Sequence, residues 1–157
     1  MHVIRLRGPW ELEPLERFVK RSFGGYEFQT TELPLCDRYQ MPADWGQALG
    51  PDFLGVVRYT RKFNRPTNLE EHERVWLVVE PPRSCGLVRV NGETLGLVQK
   101  GSPAGRFDIT ALLVDYNSVV VEVSHPELGD DGIATDDGSV SESGGLVGEV
   151  WLEIRTD

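Results

Sequence analysis

The sequence predicts an all-β sandwich, a jelly roll of about eight strands. Three observations carry the prediction. Apolar residues recur with a period of two, short apolar runs are cut by Gly, Pro and Asn turn formers, and strands do not alternate with long helices. At 157 residues the chain has the size of one domain with a substantial core, so a single β-sandwich over 1–157 is expected. It is too short for a (β/α)₈ barrel, which needs roughly 250 residues.

Val3 to Leu6 and Trp10 to Leu12 read as strand pieces on either side of Gly8-Pro9. Leu12 to Arg21 is the one stretch long enough for a helix, but Pro14 and a weak apolar pattern argue against it. A long connection follows, from Phe23 to Leu54. Val57, Tyr59, Arg61 and Phe63 then alternate with Val56, Arg58, Thr60 and Lys62, as in a half-buried strand that Asn64-Arg65-Pro66-Thr67-Asn68 breaks. Val75 to Val79 is nearly continuous in apolar residues and stops at Pro81-Pro82, which suits a central strand because Pro cannot continue a ladder.

Leu87 to Val90 and Glu93 to Val98 flank Asn91-Gly92, which accepts two positive φ values and predicts a type I′ hairpin. Phe107 to Thr110 is expected to begin a turn of helix, with Asp108 or Thr110 capping Ala111-Leu112-Leu113. Asn117-Ser118 leads into a strand at Val119 to Val123, and Gly148 to Arg155 closes the chain with alternation again.

Lys plus Arg number 16 against 25 for Asp plus Glu, a net charge of −9. Duplex nucleic acid and anionic membranes both demand a basic face, so neither is expected as a partner. Glu127, Asp130, Asp131, Asp136, Asp137 and Glu142 lie between His125 and Ser143 without a Lys or Arg, and the rest of the chain carries −9 + 6 = −3. This Gly/Ser/Asp-rich stretch, about 125–143, reads as a long acidic solvated loop. No apolar run approaches the roughly 20 residues that span a bilayer, and the N-terminus has no signal-peptide core. A cytoplasmic protein with reduced thiols at Cys36 and Cys85 is the expectation.

The order of short motifs resembles the N-terminal sugar-binding domain of glycoside hydrolase family 2, which includes β-galactosidases, β-glucuronidases and β-mannosidases. The resemblance starts at Leu6-Arg7-Gly8-Pro9-Trp10 and Tyr59-Thr60-Arg61-Lys62-Phe63. It continues through Val75-Trp76-Leu77, Val88-Arg89-Val90-Asn91-Gly92-Glu93-Thr94-Leu95-Gly96, Arg106-Phe107-Asp108-Ile109-Thr110 and Asn117-Ser118-Val119-Val120-Val121, and ends at Gly144-Gly145-Leu146-Val147-Gly148-Glu149-Val150. It implies a galactose-binding-domain-like jelly roll, with Trp10, Tyr59, Phe63 and Trp76 packing the core. It also implies that the family's catalytic barrel is missing here, so hydrolase activity is not expected.

The residues themselves agree. A glycosidase needs two carboxylates at a controlled separation, one of them sheltered, and the aspartates of a wet loop supply neither. His2, His72 and His125 are scattered, and Glu70-Glu71-His72-Glu73 reads as an exposed turn. No metal site or cofactor is expected; calcium is the nearest alternative, from the run Asp130-Asp131-Gly132 to Asp136-Asp137-Gly138, which does not follow the EF-hand spacing.

Carbohydrate binding needs an exposed aromatic face with polar groups around it. The aromatics outside the alternating strands are Tyr26, Phe28, Tyr39 and Trp45. Trp45 and Tyr39 are the expected stacking surfaces, and Asp136 and Asp137 the expected hydroxyl acceptors. The competing reading of Trp45 is a pin that fastens the long connection to the sandwich. The leading functional reading is a non-catalytic carbohydrate-binding or accessory module. The alternative is a protein-interaction module on the same scaffold, docking a protein partner or pairing as a homodimer.

Overall fold

The computed structural model describes residues 1–35, 37–41, 43–129, 132, 133 and 143–156. Its strands are β1 (His2–Arg5), β2 (Trp10–Lys20), β3 (Tyr26–Gln29), β4 (Arg38–Tyr39), β5 (Gly55–Asn64), β6 (Glu73–Val79), β7 (Cys85–Val90), β8 (Glu93–Gln99), β9 (Gly105–Asp108), β10 (Tyr116–His125) and β11 (Val150–Thr156). One helical turn, α1 (Gly46–Leu49), sits in the long connection. The smaller sheet runs β1-β11-β6-β9 and the larger β3-β2-β5-β10-β7-β8, with β4 on β2. The two face each other as an antiparallel β-sandwich, as the alternation requires. No helix among the described residues is long and apolar enough to cross a membrane.

Three strands exceed the expectation. β3, β4 and β9 have four, two and four residues, too few for a period to show. β9 also corrects the expected helical start at Phe107: this residue pairs with Leu77 and packs inward, so the chain is still extended there. The turn begins at Thr110 and is 3₁₀, with Asp108 Oδ1 accepting from the Thr110 amide at 3.0 Å and from its hydroxyl at 2.6 Å. Pro14 sits in β2 where the register against β5 shifts, between Pro14 and Glu16; such a bulge is where a strand tolerates a residue without an N–H.

Alternation assigns the core. Val57, Tyr59 and Phe63 of β5, Val119, Val121 and Val123 of β10, and Val75, Leu77 and Val79 of β6 point inward and are buried. Trp10 joins them, its indole donating to Leu6 O at 2.8 Å. Trp76 does not: Val75 and Leu77 take the inner positions, so Trp76 falls on the outer face and stays half-buried.

The larger sheet is too wide for the smaller one to cover, and the long connection fills one end. Met41, Trp45, Leu49 and Phe53 all enter the core there. Trp45 has no exposed surface; its Nε1 donates to Phe53 O at 3.0 Å, and its ring meets those of Phe53 and His125 edge-on. The closing segment seals it in. A Cβ on Gly144 would come within 2.4 Å of Trp45 Cζ2 and 2.6 Å of His125 Cβ. Gly145 has φ +132, and a Cβ there would come within 2.9 Å of Trp45 N. Trp45 is therefore the pin and not a sugar-stacking face, which corrects the first expectation for this residue.

On the outer face of the smaller sheet, Glu153 is almost fully buried among donors. Its carboxylate accepts from Trp151 Nε1 at 2.9 Å, Arg155 Nε at 2.9 Å and Arg106. Burial alone would raise its pKa, but the Trp151, Arg106 and Arg155 hydrogen bonds outweigh that and hold it below the ordinary carboxylate value.

Two expectations follow. Trp45→Ala should cost about 3–5 kcal/mol in urea unfolding, because it empties a site closed on all sides. A group whose pKa is lowered by folding stabilises the native state above its unfolded value, and that stability is lost as pH falls through the folded value. The urea midpoint should therefore drop more steeply in wild type than in Glu153→Gln between about pH 5 and pH 3.

Candidate ligand-binding cleft

At the other end of β5 the larger sheet is left uncovered. The β2–β5 ladder ends at Glu11 opposite Thr60, so beyond it β5 has only β10 as a neighbour among the described strands. The chain has just crossed between sheets through Arg7-Gly8-Pro9, and β1 forms the near edge of the smaller sheet. Between these edges lies a cleft of about 810 Å³, the size of a small-molecule site. Ile4, Leu6, Phe63 and Leu152 give it an apolar floor.

Its rim is polar. Arg61 shares the inward-facing positions of Tyr59 and Phe63, but no strand covers it, and its guanidinium turns to backbone carbonyls. Nε donates to Arg7 O at 2.9 Å and Nη1 to Lys62 O at 2.5 Å. Asn64, Asn91 and Ser118 also line the cleft, and Tyr116, 82% exposed, is its one aromatic rim residue. An exposed ring beside amides and a guanidinium is the combination that stacks on sugar CH groups while bonding hydroxyls.

Two asparagines hold this end in shape. Buried Asn117 donates through Nδ2 to Val114 O at 2.9 Å and Phe63 O at 3.4 Å. Its Oδ1 accepts from Val114 N and from Asn91 Nδ2, each at 2.9 Å. Asn91 also donates to Leu112 O and accepts from Ser118 N, again at 2.9 Å. Its φ of +51 and that of Gly92, +85, make the predicted hairpin turn. Both amide groups are thus used on each side, joining β5, β7, β10 and the 3₁₀ turn at the cleft wall.

The residues expected from the sequence do not line the cleft. Tyr39, half-buried on β4, donates its hydroxyl to Gln47 Oε1 on α1, and Trp45 is the pin described above. Asp136 and Asp137 lie outside the described residues, as do Cys36, Asp130 and Asp131. Tyr26 is buried and Phe28 exposed, the latter against Phe18 with ring centroids 5.4 Å apart. The sequence reading missed Tyr116. Its signal was its place just ahead of the alternating run of β10, outside the connection where aromatics were sought.

Glu70 to His72 form an exposed turn, as expected, and Glu73 opens β6. His125 Nδ1 lies 2.6 Å from Ser84 Oγ, a pairing that sequence spacing hides. Both residues are buried, so the pair fastens β10 to the start of β7 and no substrate reaches it. Burial and the nearby Glu127 push the Cys85 thiol up, away from a reactive thiolate. Among the described residues no three His, Cys, Asp or Glu side chains gather to hold a metal.

No protein-family model matches the sequence, and no curated protein does. Solved structures match closely in fold. An FMN-binding β-glucuronidase from Facaelibacterium prausnitzii L2-6 superposes with a TM-score of 0.68 at 24% identity over 96% of this chain and 22% of its own. A Bacteroides uniformis β-glucuronidase gives 0.69 at 20% over 98% and 18%, and a β-D-mannosidase from Dictyoglomus thermophilum 0.61 at 19% over 98% and 22%. The chain therefore has the fold of a segment spanning about a fifth of these enzymes, and the described residues contain no β/α barrel.

Asn117→Ala should lower stability by about 2–3 kcal/mol in urea unfolding, since it leaves the buried Phe63 carbonyl and the part-buried Val114 amide and carbonyl without their partner.

Proposed function

We propose that this chain is a non-catalytic carbohydrate-binding or accessory module and that the cleft beside β5 is its binding site. The observation that carries the reading is an open, apolar-floored cleft with Tyr116 exposed on a rim of amides and a guanidinium. The fold it shares with a segment of enzymes named β-glucuronidase and β-mannosidase supports it. The non-catalytic part rests on the lining, which among the described residues has no Asp or Glu and so offers no carboxylate pair for glycoside cleavage.

A second reading, the protein-interaction module, draws on the outer face of the smaller sheet. Trp76 and Trp151 are half-buried there, and Trp151 borders a hollow of about 540 Å³ with Val3, Arg5 and Glu80. Self-association is the form of this reading that light scattering tests: a concentration-dependent dimer abolished by Trp151→Ala would favour it over the cleft.

Titration of the purified chain with neutral and acidic saccharides, followed by tryptophan fluorescence and melting temperature, tests the first reading. Saturable stabilisation is expected, because a ligand of the native state must raise its stability. Tyr116→Ala should weaken that binding about three- to tenfold without lowering the melting temperature, the scale of one stacking contact on an exposed ring. Binding unchanged in Tyr116→Ala would move the site elsewhere.

A further inference from the structure

The charge around the cleft runs against that of the chain. The net charge is −9, yet among the described residues no carboxylate lines the cleft, while Arg5, Arg61 and Lys62 do. Several arginines elsewhere on the sheets are matched: Arg58 and Arg89 with Glu122, Arg106 and Arg155 with Glu153, Arg5 and Arg7 with Glu149, while Arg17 lies over the Phe53 ring. At the end of β5, Arg61, Lys62 and Arg65 fall within five residues, and among the described residues none has a carboxylate partner. Arg61 is also held in place, since the carbonyls of Arg7 and Lys62 fix its plane at the inner face. A guanidinium that is half-buried, anchored on neutral acceptors and set beside an apolar floor is arranged for an anion.

We propose that the ligand of this cleft is an acidic saccharide, carrying a carboxylate or a sulfate, with Arg61 holding the anion and Tyr116 the sugar ring. This rests on the carbohydrate reading above and adds the charge of the ligand. The cleft volume fits one or two sugar rings, and Lys62 adds attraction at the rim.

Isothermal titration with galactose, galacturonate and galactose 6-sulfate isolates the charge, because the three share one ring. Inorganic sulfate serves as the sugar-free control. At least one acidic sugar should bind about tenfold or more tightly than galactose, and the better arm identifies carboxylate or sulfate. The preference should vanish in Arg61→Gln, diminish in Lys62→Gln and shrink as salt rises. Arg61→Gln is compared at an unchanged melting temperature, and Lys62→Gln, at an exposed position, supplies the independent check. Galactose bound as well as the acidic sugars would overturn the proposal and leave the carbohydrate reading standing. Inorganic sulfate bound as tightly as the acidic sugars would overturn it in favour of a simple anion site. No binding by any sugar would overturn both.

Discussion

A four-stranded sheet cannot cover the inner face of a larger one, and this mismatch organises the molecule. The two ends of β5 and β10 meet it differently. Where Gly55 lies opposite His125, the long connection folds in and Trp45 plugs the gap. Where Asn64 lies opposite Tyr116, none of the described residues folds in and the cleft remains. The plug demands small residues behind it, hence Gly144-Gly145; the open end demands polar residues that can live at a sheet corner, hence Arg61, Asn91 and Asn117. Packing density at one end and solvent access at the other follow from the same strand count.

Polar groups inside or against the core are satisfied in discrete clusters. Glu153 is surrounded by three donors, Asn117 by the backbone of Val114 and Phe63 and by Asn91, and His125 meets Ser84. Each cluster ties parts of the chain that are far apart in sequence: Glu153 joins β11 to β9, and Asn117 joins β10 to β5 and β7. Such buried polar contacts specify one register, because a one-residue slip would strand every member without a partner.

Much of the fold was legible because it depends on local rules. The period of two marked β5, β6, β10 and β11, Asn91-Gly92 marked its hairpin, and Pro14 argued correctly against a helix. The order of motifs pointed to the same sandwich that the solved structures share. What stayed hidden depends on distance. β3, β4 and β9 are strands only because a neighbour offers a ladder, and Trp76 faces outward only because its neighbours take the core. The site was harder still. Trp45 looks like a loop aromatic until the closing glycines are folded against it, and Arg61 looks like a surface residue of an alternating strand until β2 is seen to stop short. A cleft made by the absence of a neighbour leaves no motif in the sequence.

The central claim is that saccharide is bound at the β5 end of the sandwich. Amide and indole chemical-shift mapping during titration of the ¹⁵N-labelled chain with galacturonate tests it most directly, since it reports location as well as binding. The account predicts saturable shifts at Asn64, Asn91 and Tyr116 to Ser118, with the indole N–H signals of Trp45, Trp76 and Trp151 unmoved. Shifts centred on Trp76 and Trp151, or no shifts at all, would contradict it.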